Sequence, residues 1–137
     1  MLKKFALFML CSLFITTGMY AQKKEKSDIR SIKIAMLTDR MNMSPEQSQK
    51  FWPLYNRYEN ELRVIWRQKK VIRENSKNSK NPRHDLDRME QLDGRQLSIK
   101  AKYKNEFLKV ISARQLAAMN AAEAEFKLLL IERWKKE

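Results

Sequence analysis

The chain has 137 residues, of which 33% are charged, and it contains only 2 Gly and 3 Pro. This length predicts a single domain, and the shortage of turn-forming residues argues against a turn-rich β protein and favours long helices. The formal net charge of +13 favours anionic partners such as acidic proteins, anionic lipid or nucleic acid, although a charged surface that merely keeps helices soluble explains it equally well.

Residues 1–21 have the pattern of a secretory signal peptide. Lys3 and Lys4 precede an uncharged apolar stretch through Thr17, and small residues follow up to Ala21. This order predicts cleavage near Ala21, because the stretch is shorter than the ~20 apolar residues that span a bilayer comfortably. An uncleaved anchor is the alternative.

Export predicts a periplasmic location, and it makes nucleic acid the weakest of the anionic partners. Cys11, the one cysteine, lies inside the signal, so the mature chain would have no thiol and would be stabilised by packing alone. Residues 22–27 are predicted to be a disordered lead-in to a single helical domain over residues 28–137.

The first of four predicted helices is short. It runs from Asp28, a candidate capping residue, to about Met41. Its predicted apolar face consists of residues that recur at helical spacing: Ile29, Ile32, Ala35 and Met36.

The second helix is predicted from Pro45 to about Asn75. Ser44 is a candidate N-cap, Pro45 suits the first helical position, and Gln47 at the third position completes a capping box. Pro53 lies inside the helix and predicts a kink near residues 49–53, or a restart there. The predicted buried stripe is Phe51, Leu54 or Tyr55, Tyr58, Leu62, Ile65 and Ile72.

A polar loop over residues 75–82 separates this helix from the third, which is predicted from about Arg83 to Val110. Gly94 weakens the third helix by up to ~1 kcal/mol relative to Ala. The predicted stripe consists of Leu92, Ile99, Tyr103, Phe107 and Val110.

The last helix begins at a second capping box, in which Ser112 and Gln115 repeat the spacing of the first. Ile111 and Leu116 are placed to form a hydrophobic staple across this start. The predicted stripe consists of Leu116, Met119, Phe126, Leu130 and Trp134. Each box begins a long helix directly after another ends, which predicts two similar halves; coincidence is the alternative, because the four-residue motif is common.

This combination resembles the Spy/CpxP family of small periplasmic proteins, whose hallmark is a pair of Leu-Thr-x-x-Gln motifs. The matching stretches here are Met43-Ser44-Pro45-Glu46-Gln47 and Ile111-Ser112-Ala113-Arg114-Gln115. Met and Ile replace Leu, and Ser replaces Thr, which keeps an apolar residue before a hydroxyl cap. The resemblance extends from about Ile34 to Trp134.

The resemblance implies four helices in two antiparallel hairpins that form a curved, cradle-shaped homodimer. It also implies an ATP-independent chaperone that holds unfolded or stress-damaged envelope proteins on a face both basic and apolar. Other members resemble inhibitors of stress signalling or metal sensors. The first leaves open a regulator that binds an envelope sensor or anti-sigma-type partner, whereas metal sensing is the weaker alternative, because metal-sensing relatives generally use more histidines.

Candidate client-binding residues are basic or apolar positions on the second and third helices. Arg88, Arg95, Lys102 and Lys109 are each seven apart and therefore form a line along the third helix. The second helix contributes Arg63, Arg67 and Lys70, and the apolar candidates are Ile65, Trp66 and Tyr103. The alternative is that the basic residues are a plain solvated face and that the aromatic ones belong to the core.

We expect no catalysis, no cofactor and no metal site. The sequence has one histidine, His84, and no glycine-rich phosphate loop, and its spacing assembles no triad or carboxylate pair. A cationic helical protein on anionic lipid is a third hypothesis. Against stable membrane insertion, the apolar stripes are needed for the core.

Overall fold

The computed structural model describes residues 28–135, and all of its regular structure within this range is helical, without strands. The elements are α1 over residues 28–41, α2 over Pro45–Asn75, a 3₁₀ turn over Ser76–Asn78, α3 over Pro82–Leu108 and α4 over Ala113–Trp134. The predicted all-helical fold with four helices is confirmed over the described residues. The predicted signal peptide and lead-in lie outside the described residues.

The chain divides into two compact units. One unit is Met41–Ala118, which contains all of α2 and α3. Of the other unit, residues 28–40 and 119–135 are described. In this second unit, Arg40 donates two hydrogen bonds to the Glu125 carboxylate, at 2.9 and 3.0 Å.

Aromatic rings form the centre of the Met41–Ala118 unit. The ring centroids of Phe51 and Phe107 lie 5.5 Å apart, and Tyr58 lies 5.3 Å from Tyr103 and 5.5 Å from Phe107. Tyr55 stacks on Phe51 at 5.4 Å. Tilted and edge-on contacts at these distances contribute ~0.5–1.5 kcal/mol each beyond the burial of the ring surface. The cluster therefore fastens α2 to α3.

The apolar stripes of the three long helices are largely as predicted. Ile72, Ile99, Val110 and Leu130 are half-buried, and Trp134 is exposed, so its place in the stripe is wrong. The remaining predicted stripe residues are all buried: Phe51, Leu54, Tyr55, Tyr58, Leu62, Ile65, Leu92, Tyr103, Phe107, Leu116, Met119 and Phe126.

The face predicted for α1 is wrong in part. Its fully buried residues are Leu37 and Met41, which are four apart, whereas Ile29 and Met36 are half-buried and Ile32 and Ala35 are exposed. This helix has apolar residues on several sides, so spacing alone does not select the side that packs. The capping role predicted for Asp28 stays a prediction, because the residues before it lie outside the described range.

Pro53 lies inside α2, which continues without interruption from Pro45 to Asn75. The predicted restart is therefore wrong, and the kink stays a prediction. α3 begins at Pro82, one residue earlier than predicted, because the Asn81 side chain caps it by accepting a hydrogen bond from the His84 N–H at 3.2 Å.

Both predicted capping boxes are confirmed. The Ser44 N–H donates to Gln47 Oε1 at 3.0 Å, and the Gln47 N–H donates to Ser44 Oγ at 3.2 Å. Ser112 and Gln115 repeat the pattern at 2.9 and 3.2 Å. Ile111 and Leu116, which flank the second box, are both buried.

The two boxes are joined by a bond pattern that the sequence did not predict. Gln47 Nε2 donates to Gln115 Oε1 at 3.1 Å, and Gln115 Nε2 donates to Gln47 Oε1 at 3.0 Å. Each amide also donates to the carbonyl two residues before the other N-cap, Gln47 to Val110 at 3.4 Å and Gln115 to Asn42 at 3.5 Å. Asn42 has φ 44°, the left-handed geometry that commonly ends a helix. Each glutamine thus caps its own helix and binds the turn before the other.

We expect Gln47→Ala to lower the free energy of unfolding by about 1–2 kcal/mol, because it removes half of a capping box and one partner of the part-buried Gln115 amide. A double-mutant cycle with Gln115→Ala, measured by denaturant unfolding, should give a coupling above ~0.5 kcal/mol. The exposed Gln49→Ala is the matched control, with an expected change within ~0.5 kcal/mol. Additive losses from the two glutamines would contradict a joint between the boxes.

Candidate binding surface

Two polar contacts set the register between α2 and α3. In the first contact, Tyr103 Oη of α3 donates to Glu61 Oε1 of α2 at 2.6 Å, and Lys102 Nζ lies 3.2 Å from the same oxygen. Farther along α2, Lys69 Nζ donates to Asp93 and to Gln96 Oε1. These contacts decide which side chains of the two helices share a surface.

Lys69 is a buried cation, with 7% of its surface exposed. Burying an ammonium group is costly unless it is paired and hydrogen-bonded, and here a carboxylate and an amide oxygen meet it. The pair between Lys69 and Asp93 therefore has a structural role, and Lys69 is not part of an accessible basic surface.

The contact between Tyr103 and Glu61 shifts the pKa of both groups. Burial, and then the hydrogen bond to the Glu61 carboxylate, raise the pKa of Tyr103 to about 12, and the nearby charge of Arg57 opposes this shift. The Tyr103 hydroxyl in turn lowers the pKa of Glu61, with a further contribution from Lys102. Glu61 is therefore a fixed anion that holds α3 against α2.

All four basic residues of the predicted line along α3 are exposed. At 1.5 Å per residue, the line from Arg88 to Lys109 extends over about 31 Å. Lys102 pairs with Glu61 at 3.2 Å and Lys109 pairs with Glu106 at 2.7 Å. Within the described residues, no ion pair neutralises Arg88 or Arg95. These two guanidinium groups carry the uncompensated charge of the line.

The basic residues of α2 are exposed too, but they do not extend this line. Because a helix turns about 100° per residue, Arg63 and Lys70 lie about 180–200° around α2 from Glu61, which is the residue that meets Lys102. Arg67 lies about 120° from Glu61 by the shorter path, and in sequence it lies between the exposed Val64 and Val71. Arg63 and Lys70 therefore do not share a side of the hairpin formed by α2 and α3 with the predicted line on α3.

The three apolar candidates are separated as well. Ile65 and Tyr103 are buried, at 1% and 3% exposed, so they lie in the core and not at an accessible surface. Trp66 is exposed, but it lies about 140° around α2 from Glu61, away from the basic line. Neighbouring positions on a helix point 100° apart, which is why Ile65 and Trp66 cannot both face the same environment.

Sequence reasoning missed Arg57 and Val64. They lie four residues before and three residues after Glu61, so both share its side of α2. Both are exposed, and the charge of Arg57 reaches Tyr103. The spacing around Glu61 was the available signal, but it has meaning only once Glu61 is known to contact α3. We call the set Arg57, Val64, Arg88, Arg95 and Lys102 the basic side of the hairpin.

Other chemistry has little support in the described part of the chain. Over residues 28–135, no three His, Cys, Asp or Glu side chains lie close enough together to hold a metal ion, and His84 is an exposed residue 3.9 Å from Asp85. In the same range, no helix is both long enough and apolar enough to cross a bilayer.

No protein-family model, curated protein or solved structure matches this chain. Any function must therefore be argued from the surface itself and from the motifs that carry the sequence resemblance.

We expect Tyr103→Phe to lower the free energy of unfolding at neutral pH by about 1 kcal/mol, because Glu61 loses its shortest hydrogen bond. A raised pKa in the folded state means that this stabilisation is complete below the ordinary value of 10.0 and is lost as the pH rises towards about 12. The difference between wild type and variant in denaturant unfolding should therefore shrink across this interval.

Glu61→Gln separates the two causes, since it keeps an acceptor but removes the charge. Tyrosinate absorbance should then show Tyr103 ionising at lower pH than in wild type, though still above an exposed tyrosine. An unchanged ionisation curve in Glu61→Gln would contradict the role of the carboxylate.

Proposed function

We propose that this chain is an exported, ATP-independent holdase-type chaperone of the Spy/CpxP kind that binds unfolded or stress-damaged envelope proteins without a cofactor. The observation that carries the proposal is the basic side of the hairpin, where Arg88 and Arg95 have no ion pair among the described residues and Val64 is exposed. The signal-peptide pattern and the two box motifs supply the cellular setting and the resemblance.

The physical argument rests on how such a surface meets an unfolded chain. Net positive charge accelerates encounter with acidic segments over about a Debye length, which is ~8–10 Å at moderate salt. Small apolar side chains such as Val64 then add weak contacts, because a single valine buries little area. Dispersed weak contacts hold a client without trapping it, so no nucleotide cycle is needed for release.

Client contacts on this surface come from groups that the fold leaves free. Ile65 and Tyr103 are excluded, because exposing them would open the core. Val71, seven residues after Val64 and also exposed, extends the apolar part of the surface along α2. The arginines of the basic side are suited to this work, since a guanidinium group binds carboxylates and stacks on aromatic rings.

The test is the aggregation of a reduced, unfolding protein with and without the purified chain, without ATP and across a salt series. We expect suppression near stoichiometric amounts that weakens as salt rises. The absence of suppression at several-fold excess of folded protein would overturn the chaperone proposal and favour a dedicated signalling partner.

Two charge-reversal pairs localise the activity. We expect Arg88→Glu/Arg95→Glu to raise the amount needed for half-maximal suppression by about three-fold or more, because it removes the net positive charge of the basic side. Arg63→Glu/Lys70→Glu makes the same change in net charge on the opposite side of α2 and should have a smaller effect. Equal losses, with unchanged helical circular dichroism, would mean that net charge alone matters and would contradict a localised surface.

A further inference from the structure

The turn between α2 and α3 contains a three-residue sequence repeat. It reads Asn-Ser-Lys, Asn-Ser-Lys and Asn-Pro-Arg over residues 75–83, and the third residue of each triplet is basic: Lys77, Lys80 and Arg83. Together with Arg73 in the last turn of α2, these residues form the end of the hairpin. We call residues 73–83 the hairpin tip. It contains four basic residues and one acidic residue, Glu74.

The other positions of the repeat build the turn. Ser76 Oγ donates to the Arg73 carbonyl at 2.8 Å, and the Asn81 N–H donates to Ser79 Oγ at 3.2 Å. The Asn81 side chain then caps α3. Hydrogen bonds of this local kind are how serine and asparagine hold a turn. The basic side chains of the repeat take part in none of these bonds, and all of them are exposed.

The positive charge of the tip is not compensated by nearby carboxylates. Over residues 28–135, no ion pair neutralises Arg73 or any of the three basic residues of the repeat. Glu74 lies 3.6 Å from Lys70, and Asp85 lies beside His84. Even with the acidic residues that follow in α3, residues 70–88 contain six basic residues against three acidic ones.

The composition of the tip indicates which anions it suits. Pro82 is its only apolar residue, so the tip lacks the apolar and aromatic anchors that dominate protein interfaces. No Phe, Trp or Tyr occurs between Trp66 and Tyr103 in the sequence, so unpaired nucleic-acid bases have no ring near the tip on which to stack. Phosphate headgroups require neither, because basic residues near an anionic membrane gain affinity from charge alone.

We propose that the hairpin tip binds the phosphate headgroups of an anionic membrane surface, without insertion into the bilayer. The tip is the end of two helices, so a flat surface can approach its four cations together. Each basic residue near such a surface contributes about five-fold in affinity, which makes this attachment weak and reversible. The proposal does not rest on chaperone activity, because vesicle binding is measured without a client.

Sedimentation of the purified chain with lipid vesicles tests the proposal. The probes are vesicles of phosphatidylcholine alone and vesicles with about 30% phosphatidylglycerol, which adds net negative charge to the surface. We expect binding to the anionic vesicles that weakens steeply as salt shortens the Debye length. Binding to the anionic vesicles that is no stronger than to the neutral ones would overturn the proposal.

Neutral substitutions localise the contact. Lys77→Gln/Lys80→Gln should weaken binding to anionic vesicles by about ten-fold or more, because two of the four tip cations are lost. Lys100→Gln/Lys104→Gln is the matched control, at exposed positions about 27–33 Å beyond the start of α3, and should weaken binding by less than about two-fold.

A third pair, Lys77→Arg/Lys80→Arg, keeps the charge and should bind as the wild type does. Equal losses from the two glutamine pairs would show that net charge alone matters and would overturn a localised site. Loss of binding in the arginine pair would likewise contradict attachment by charge.

A short single-stranded oligonucleotide distinguishes the membrane from another source of phosphate. We expect the anionic vesicles to bind more tightly than the oligonucleotide at equal phosphate concentration, because the tip has no ring for its bases. Tighter binding of the oligonucleotide, lost in Lys77→Gln/Lys80→Gln, would assign the tip to nucleic acid and overturn the membrane proposal.

Discussion

The mutual hydrogen bonding of Gln47 and Gln115 is the constraint on which the Met41–Ala118 unit depends. Each amide oxygen accepts from the N-cap of its own helix and from the other amide, and each amide nitrogen donates to the turn before the other helix. Every hydrogen-bonding site of the two side chains is therefore engaged. Neither Glu nor Asn could replace them, because Glu lacks the donor and Asn lacks the reach. The motif occurs twice because each copy completes the other.

The aromatic core lies next to this joint because its rings are close in sequence to the two capping boxes. Phe51 lies four residues after Gln47, about one turn along α2, and Phe107 lies near the end of α3, five residues before Ser112. The joint thus brings the start of α2 beside the end of α3, and the rings of Phe51 and Phe107 meet 5.5 Å apart. From there the two helices contact through Glu61 and then Lys69, so polar pairs fix the register at intervals along a core that has no disulfide.

The local parts of this structure were predictable, and the parts that depend on contacts between helices were not. A capping box links residues three apart, so its bonds follow from the sequence, whereas the bond between Gln47 and Gln115 joins residues 68 apart. The same limit applies to the candidate surface. The spacing along α3 correctly predicted an exposed line of basic residues that includes Arg95. The spacing along α2 did not show that Arg63 lies on a different side of the hairpin from this line. Only the contact between Lys102 and Glu61 shows which side of α2 faces that line.

The division of the hairpin surface follows from where its acidic residues are used. Glu61 and Asp93 both bind residues of the opposite helix, so they fix the register instead of neutralising the arginines nearby. Arg88 and Arg95 consequently keep their full charge on one side. The carboxylates that hold the two helices together are thus the ones that leave these arginines without an ion pair among the described residues. A surface of one sign suits many loosely bound partners.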